Sequence, residues 1–181
     1  VRPKFPLDDS LSQVKIYEYR MEKGIIPHDA IYNANDGLIY TVDQGASHMA
    51  ITDLTSGKTE YFSQKDGDFW LPFWKSSTMK WPFERYGPHS LDLGPDQKYY
   101  TTNSFQNSIG VFNTKTREWE PSIFAGLRAI YPHTVRIDKQ GIVWFTVAGG
   151  ERVGRIDPVS KKSTLIKLPY VESGGLAGGT Q

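Results

Sequence analysis

The 181-residue chain contains no cysteine, which excludes disulfides, thiolate metal sites and cysteine nucleophiles but leaves the compartment undecided. It also lacks an excess of charge of either sign. Its 21 Lys and Arg residues stand against 20 Asp and Glu, and the two kinds alternate instead of gathering. Nucleic-acid binding needs a concentrated basic footprint to neutralise phosphates, so no nucleic-acid partner is expected. No stretch approaches the roughly 18 apolar residues that a membrane helix requires, so no membrane span is expected. A seat on a membrane-associated assembly stays open. The chain begins at Val1 and not at Met, which points to processing or truncation.

What is present is a composition for strands and tight turns. With 38% hydrophobic and 23% charged residues the chain reads as an ordinary globular protein. Aromatics at 13%, together with 17 Gly and 11 Pro, favour short strands over long helices, because rings and β-branched side chains suit a pleated, half-buried surface. The class is all-β.

Three Pro-His pairs mark an internal repeat: Pro27-His28, Pro88-His89 and Pro132-His133. With the histidines in line, the next 24 residues align without a gap. Apolar residues follow at period two (Ala30 and Tyr32, Leu91 and Leu93, Val135 and Ile137), which predicts a first strand. Turns rich in Asn, Asp, Gly and Pro come next, then second strands Leu38 to Val42, Tyr99 to Asn103 and Val143 to Val147. Third strands end near Ile51, Phe112 and Ile156, and fourth strands cover about Lys58 to Phe62, Trp119 to Phe124 and Ser163 to Leu168. Units of four antiparallel strands, at about 28–62, 88–124 and 133–168, are blades of a β-propeller.

The remaining segments fall outside this pattern. Residues 1–13 are an N-terminal extension, and Val14 to Tyr19 reads as one more fourth strand that would close a ring, which removes an exposed edge. Residues 63–86 form an insertion between the first two blades, and 170–181 a Gly-rich tail. Three blades and one closing strand make an incomplete ring within residues 14–169. Either the chain continues beyond Gln181 or another polypeptide covers the open propeller edge.

The third unit runs Pro132-His133, then Trp144-Phe145-Thr146, then Val153-Gly154-Arg155-Ile156-Asp157. It resembles the repeat of the virginiamycin B (streptogramin) lyase family, which reads Pro-His-Gly-Ile, Trp-Phe-Thr-Glu and Ile-Gly-Arg-Ile. The first two units fit more loosely. The resemblance implies a propeller fold and, for an enzyme of this type, a Mg²⁺-dependent elimination that opens a macrocyclic ester, with histidines and glutamates near the axis. It also implies a periplasmic or extracellular location.

His28, His89 and His133 match the Pro-His part of the motif and are the weak catalytic candidates; the other reading is that they are structural, repeated because the blade is repeated. At the position of the motif glutamate the histidine register places Val42, Asn103 and Val147, none of them a carboxylate. Asp29, Asp43 and Glu151 lie nearby but off the motif position. No metal ligand is therefore assigned, and no cofactor is expected; Mg²⁺ enters only under the lyase reading, with its glutamates outside this segment.

The insertion concentrates rings: Phe69, Trp70, Phe73, Trp74, Trp81, Phe83 and Tyr86. Large amphipathic side chains of this kind are frequent anchors of interfaces. Trp70, Trp74, Trp81, Phe69 and Phe73 are the expected contacts with another polypeptide, the alternatives being an internal lid and a platform for a ligand. The leading expectation is a non-catalytic interaction or scaffold subunit, and the alternative a streptogramin-type lyase.

Overall fold

The computed structural model describes residues 14–65 and 85–169. Among them are twelve strands and no helix. They are β1 (Pro27–Asn33), β2 (Leu38–Asp43), β3 (His48–Asp53), β4 (Thr59–Ser63), β5 (Pro88–Leu93), β6 (Lys98–Asn103), β7 (Ser108–Asn113), β8 (Glu118–Phe124), β9 (Pro132–Ile137), β10 (Val143–Val147), β11 (Arg152–Asp157) and β12 (Lys162–Lys167). Each run of four forms one antiparallel sheet in sequence order, so the three sheets are three blades with β1, β5 and β9 innermost. The first strands lie against one another, β1 on β5 and β5 on β9. The described blades do not close a ring.

Period-two alternation gives each blade two faces, and apolar residues cement one face to the next blade. Tyr40, Val42, Met49 and Ile51 of blade 1 pack on Leu91, Tyr99 and Phe112 of blade 2. The opposite face of blade 2, with Tyr100, Ile109, Val111 and Ile123, packs on Val135, Val143, Phe145 and Ile156 of blade 3. Within blade 3, glycine leaves room for a ring: a Cβ on Gly154 would stand 1.9 Å from Cζ of Phe145, its cross-strand partner.

The turns between third and fourth strands show why the repeat recurs in sequence. Asp53, Asn113 and Asp157 each accept two backbone N–H groups through the side-chain oxygen, from Thr55 and Ser56, Lys115 and Thr116, and Val159 and Ser160. Asx turns of this kind mimic a backbone turn and fix the hairpin.

Two expectations are corrected here. The histidine register is not gapless, because the β1–β2 turn holds one residue more than its counterparts. Asn33 pairs with Leu38, so four residues form that turn, whereas Gly94 closes on Lys98 and Asp138 on Ile142 over three. Blade 1 is therefore shifted by one place beyond the turn. The second correction concerns Val14 to Tyr19, which is not a strand and joins none of the three sheets. Each sheet already has its own fourth strand on the outer edge, and the segment meets blade 1 through a side chain: the Tyr19 hydroxyl donates to the Leu54 carbonyl at 2.9 Å.

The extension 1–13, the tail 170–181 and the insertion rings Phe69, Trp70, Phe73, Trp74, Trp81 and Phe83 lie outside the described residues. Tyr86 lies within them and is buried.

Candidate functional site

The three histidines meet at the axis. Each sits at a β-bulge where its first strand begins: Pro27 faces Asp43 but Asp29 already faces Val42, and the same slip separates Pro88 from Leu91 and Pro132 from Val135. A bulge bends the strand and re-aims a side chain. The result is a column of imidazoles, with His28 and His89 centred 3.6 Å apart and His89 and His133 4.0 Å apart. Among the described residues no group of three or more His, Asp or Glu is placed to hold a metal ion.

His89, in the middle, is 5% exposed and its Nδ1 has no hydrogen-bond partner. Burial, followed by its two imidazole neighbours, pulls its pKa down to about 4. His133 is lowered for the same first reason, burial, and then by His28. Its Nδ1 lies 3.1 Å from the Thr134 hydroxyl.

The polar groups around the column tie blades together. Asp29 of blade 1 accepts the Ser90 hydroxyl at 2.9 Å and the Leu91 N–H at 3.3 Å, while Ser90 accepts Val135 N–H at 3.4 Å, so one thread joins all three first strands. Thr102 accepts Ser90 N–H and donates to the His133 carbonyl at 2.5 Å. Across the mouth, the Gln44 amide of blade 1 donates to the Tyr131 hydroxyl of blade 3 at 2.8 Å.

The one-residue shift in blade 1 changes the reading of the motif carboxylate. Pro27 pairs with Asp43 as Pro88 pairs with Asn103 and Pro132 with Val147, so Asp43, and not Val42, occupies the glutamate position. Backbone bonds agree: Gln44, Ser104 and Ala148, each the next residue, donate N–H to the residue before the Pro-His pair. Asp43 is wholly buried, and its carboxylate accepts Ile25 N–H at 2.7 Å, Ile26 N–H at 3.1 Å and Ala46 N–H at 2.7 Å. His48 Nε2 stands 3.9 Å from it without a hydrogen bond. Burial lowers the His48 pKa against the opposing pull of Asp43. Glu151 is exposed in the β10–β11 turn.

Tyr131 gives no sign of its role in the sequence. It holds φ at +57°, where blade 2 has Gly87 at +63°. Left-handed backbone at a bulky residue costs about 1–3 kcal/mol and persists only where its surroundings fix it. Here the ring stands edge-on to His89 and Phe105, and its hydroxyl takes the Gln44 amide.

No family model matches the chain, and no curated protein does. Solved structures do. A streptogramin B lyase structure is 22% identical, covering 87% of this chain and 46% of its own, with a TM-score of 0.68. A catalytically inactive histidine variant of virginiamycin B lyase from Staphylococcus aureus, with quinupristin, is 20% identical over 90% of this chain and 48% of its own, with a TM-score of 0.69. The fold is that of the virginiamycin B lyase propellers. A nidogen/laminin complex also matches, at 12% identity and a TM-score of 0.58, covering 81% of this chain and 49% of its own. The chain thus spans less than half of each of these chains.

Proposed function

We propose that the chain is a non-catalytic propeller module of a larger periplasmic or extracellular assembly. The observation that carries this reading is that the axial groups are committed within the protein, Asp29 tying blade 1 to blade 2 and Asp43 fixing the backbone of blade 1. The Asp29 and Asp43 carboxylates accept backbone and hydroxyl donors, and the histidine rings pack, tilted, on either side of a neutral His89. Mg²⁺, the ion of the lyase reading, needs several oxygen ligands in near-octahedral array. Three tilted imidazoles beside two carboxylates that already hold three donors each do not fit it.

The partner is another polypeptide, docked through the aromatic insertion or on the open propeller edge. The Trp70, Trp74 and Trp81 contacts belong to the same proposal, although they lie outside the described residues. The lyase reading has one observation in its favour, the convergence of the three Pro-His histidines on one axis.

Incubation with quinupristin and Mg²⁺, followed by mass spectrometry, separates the two readings. No linearised product is expected. Turnover that disappears in His89→Ala or His133→Ala would make the column catalytic and overturn the proposal.

A further inference from the structure

A groove of about 640 Å³ opens away from the axis, between the outer strands β4 of blade 1 and β8 of blade 2. Its size falls in the range of small-molecule sites. The β3–β4 and β11–β12 ladders run without interruption, but β8 bulges: Ile109 faces Ile123 and Val111 faces Glu120, leaving Pro121 and Ser122 against Gly110 alone. The Ser122 hydroxyl accepts the Asn103 amide at 3.3 Å and the Gln64 amide at 3.0 Å.

Gln64 is 8% exposed, lines the groove, and its Oε1 has no hydrogen-bond partner. Rotating the amide would place Oε1 on Ser122 and strand Nε2 instead, so one buried amide group lacks a partner in either orientation. The walls add the rings of Trp119 and Phe62. The charged residues of the lining, Lys65, Arg117, Glu118 and Glu120, are two of each sign, and Arg117 also pairs with Glu60 at 2.7 Å and Glu120 with Lys98 at 2.8 Å.

We propose that this groove binds a short neutral oligosaccharide. Sugar hydroxyls supply both the donor that Oε1 lacks and an acceptor for the other orientation, while the C–H face of the ring lies on aromatic walls. Balanced lining charges favour an uncharged ligand. An extended peptide fits less well, because the bulge and Pro121 interrupt the row of backbone groups that an added strand would pair with.

The test is titration of the ¹⁵N-labelled chain with maltotriose, cellotriose and triacetylchitotriose, read by amide chemical shifts. At least one should saturate with shifts confined to 62–65 and 117–123, and Gln64→Ala should weaken it by roughly tenfold, the loss of one buried hydrogen bond. Val159→Ser, in a remote exposed turn, should bind as wild type. If Gln64→Ala does not fold, by circular dichroism, the wild-type shift map decides alone. No saturation up to about 20 mM with any of the three, a Kd too weak for a built site, would overturn the proposal. So would shifts centred on the axial histidines, or binding unchanged in folded Gln64→Ala.

Discussion

A column of three imidazoles is a poor place for positive charge, and this makes acid the natural probe of the axis. The pKa of His89 falls from 6.5 to about 4 on folding, so between those values the unfolded chain binds more protons than the folded one. Stability is then complete above about pH 6.5 and falls as the pH drops toward 4, by up to about 3 kcal/mol from this residue. His48 and His133 are lowered too and add in the same direction. Urea denaturation between pH 7.5 and 4.5 should show the midpoint falling with pH, with a flatter profile in His89→Asn. Equal slopes in the two proteins would mean that the column charges without cost. Asp43 is the second residue to test. Removing it strands three backbone N–H groups, and Asp43→Ala should destabilise by about 3 kcal/mol, the scale for losing bonds to a buried charge. The amides of Ile25, Ile26 and Ala46 should lose hydrogen-exchange protection first.

At the scale of strands and turns, glycines separate packing from backbone conformation. Gly154→Ala places a methyl within 1.9 Å of the Phe145 ring, and overpacking of this kind typically costs 1–3 kcal/mol or more. Gly37, at φ +75° with nothing within 4 Å of its would-be Cβ, should lose only about 1 kcal/mol on mutation to Ala, by backbone strain alone. Thermal unfolding of the two variants should rank them in that order. The blades themselves were legible, because alternation and Asx turns are local and recur in every copy. The extra turn residue was not, since turn formers follow every Pro-His pair. What reveals it is a tertiary bond: Asp36 holds the Tyr40 hydroxyl at 2.7 Å and Asp96 the Tyr100 hydroxyl at 2.9 Å, so these tyrosines, and not the histidines, set the register. Aligning on them would have put Asp43 at the motif position. Tyr131 was illegible for another reason: a left-handed tyrosine has no compositional mark. The orphaned amide of Gln64 depends on a bulge in a strand 58 residues away, beyond the reach of any local pattern.

For the molecule as a whole, the two faces of blade 2 measure what blade 3 leaves uncovered. Ile109 pairs with Ile123 as Val153 pairs with Ile166, and Tyr100 holds the place of Trp144. Ile123 is 4% exposed beneath blade 3, whereas Ile166 is 44% exposed. The same pattern is therefore buried in one blade and open in the next, with Arg155 over the Trp144 ring, 5.9 Å from its centre. Apolar side chains gathered on an open sheet face attract a second surface, whether a further blade, a partner or another copy. The isolated chain should associate reversibly as its concentration rises in sedimentation velocity, and Ile166→Lys should suppress this while leaving the melting temperature near that of wild type, because the residue is already half in water. Where a partner is present, Trp144→Ala at the centre of the face should cost 2 kcal/mol or more, roughly thirtyfold in affinity, against little change for a rim residue. Association of Ile166→Lys indistinguishable from wild type would remove blade 3 as the docking face and turn the search to the aromatic insertion.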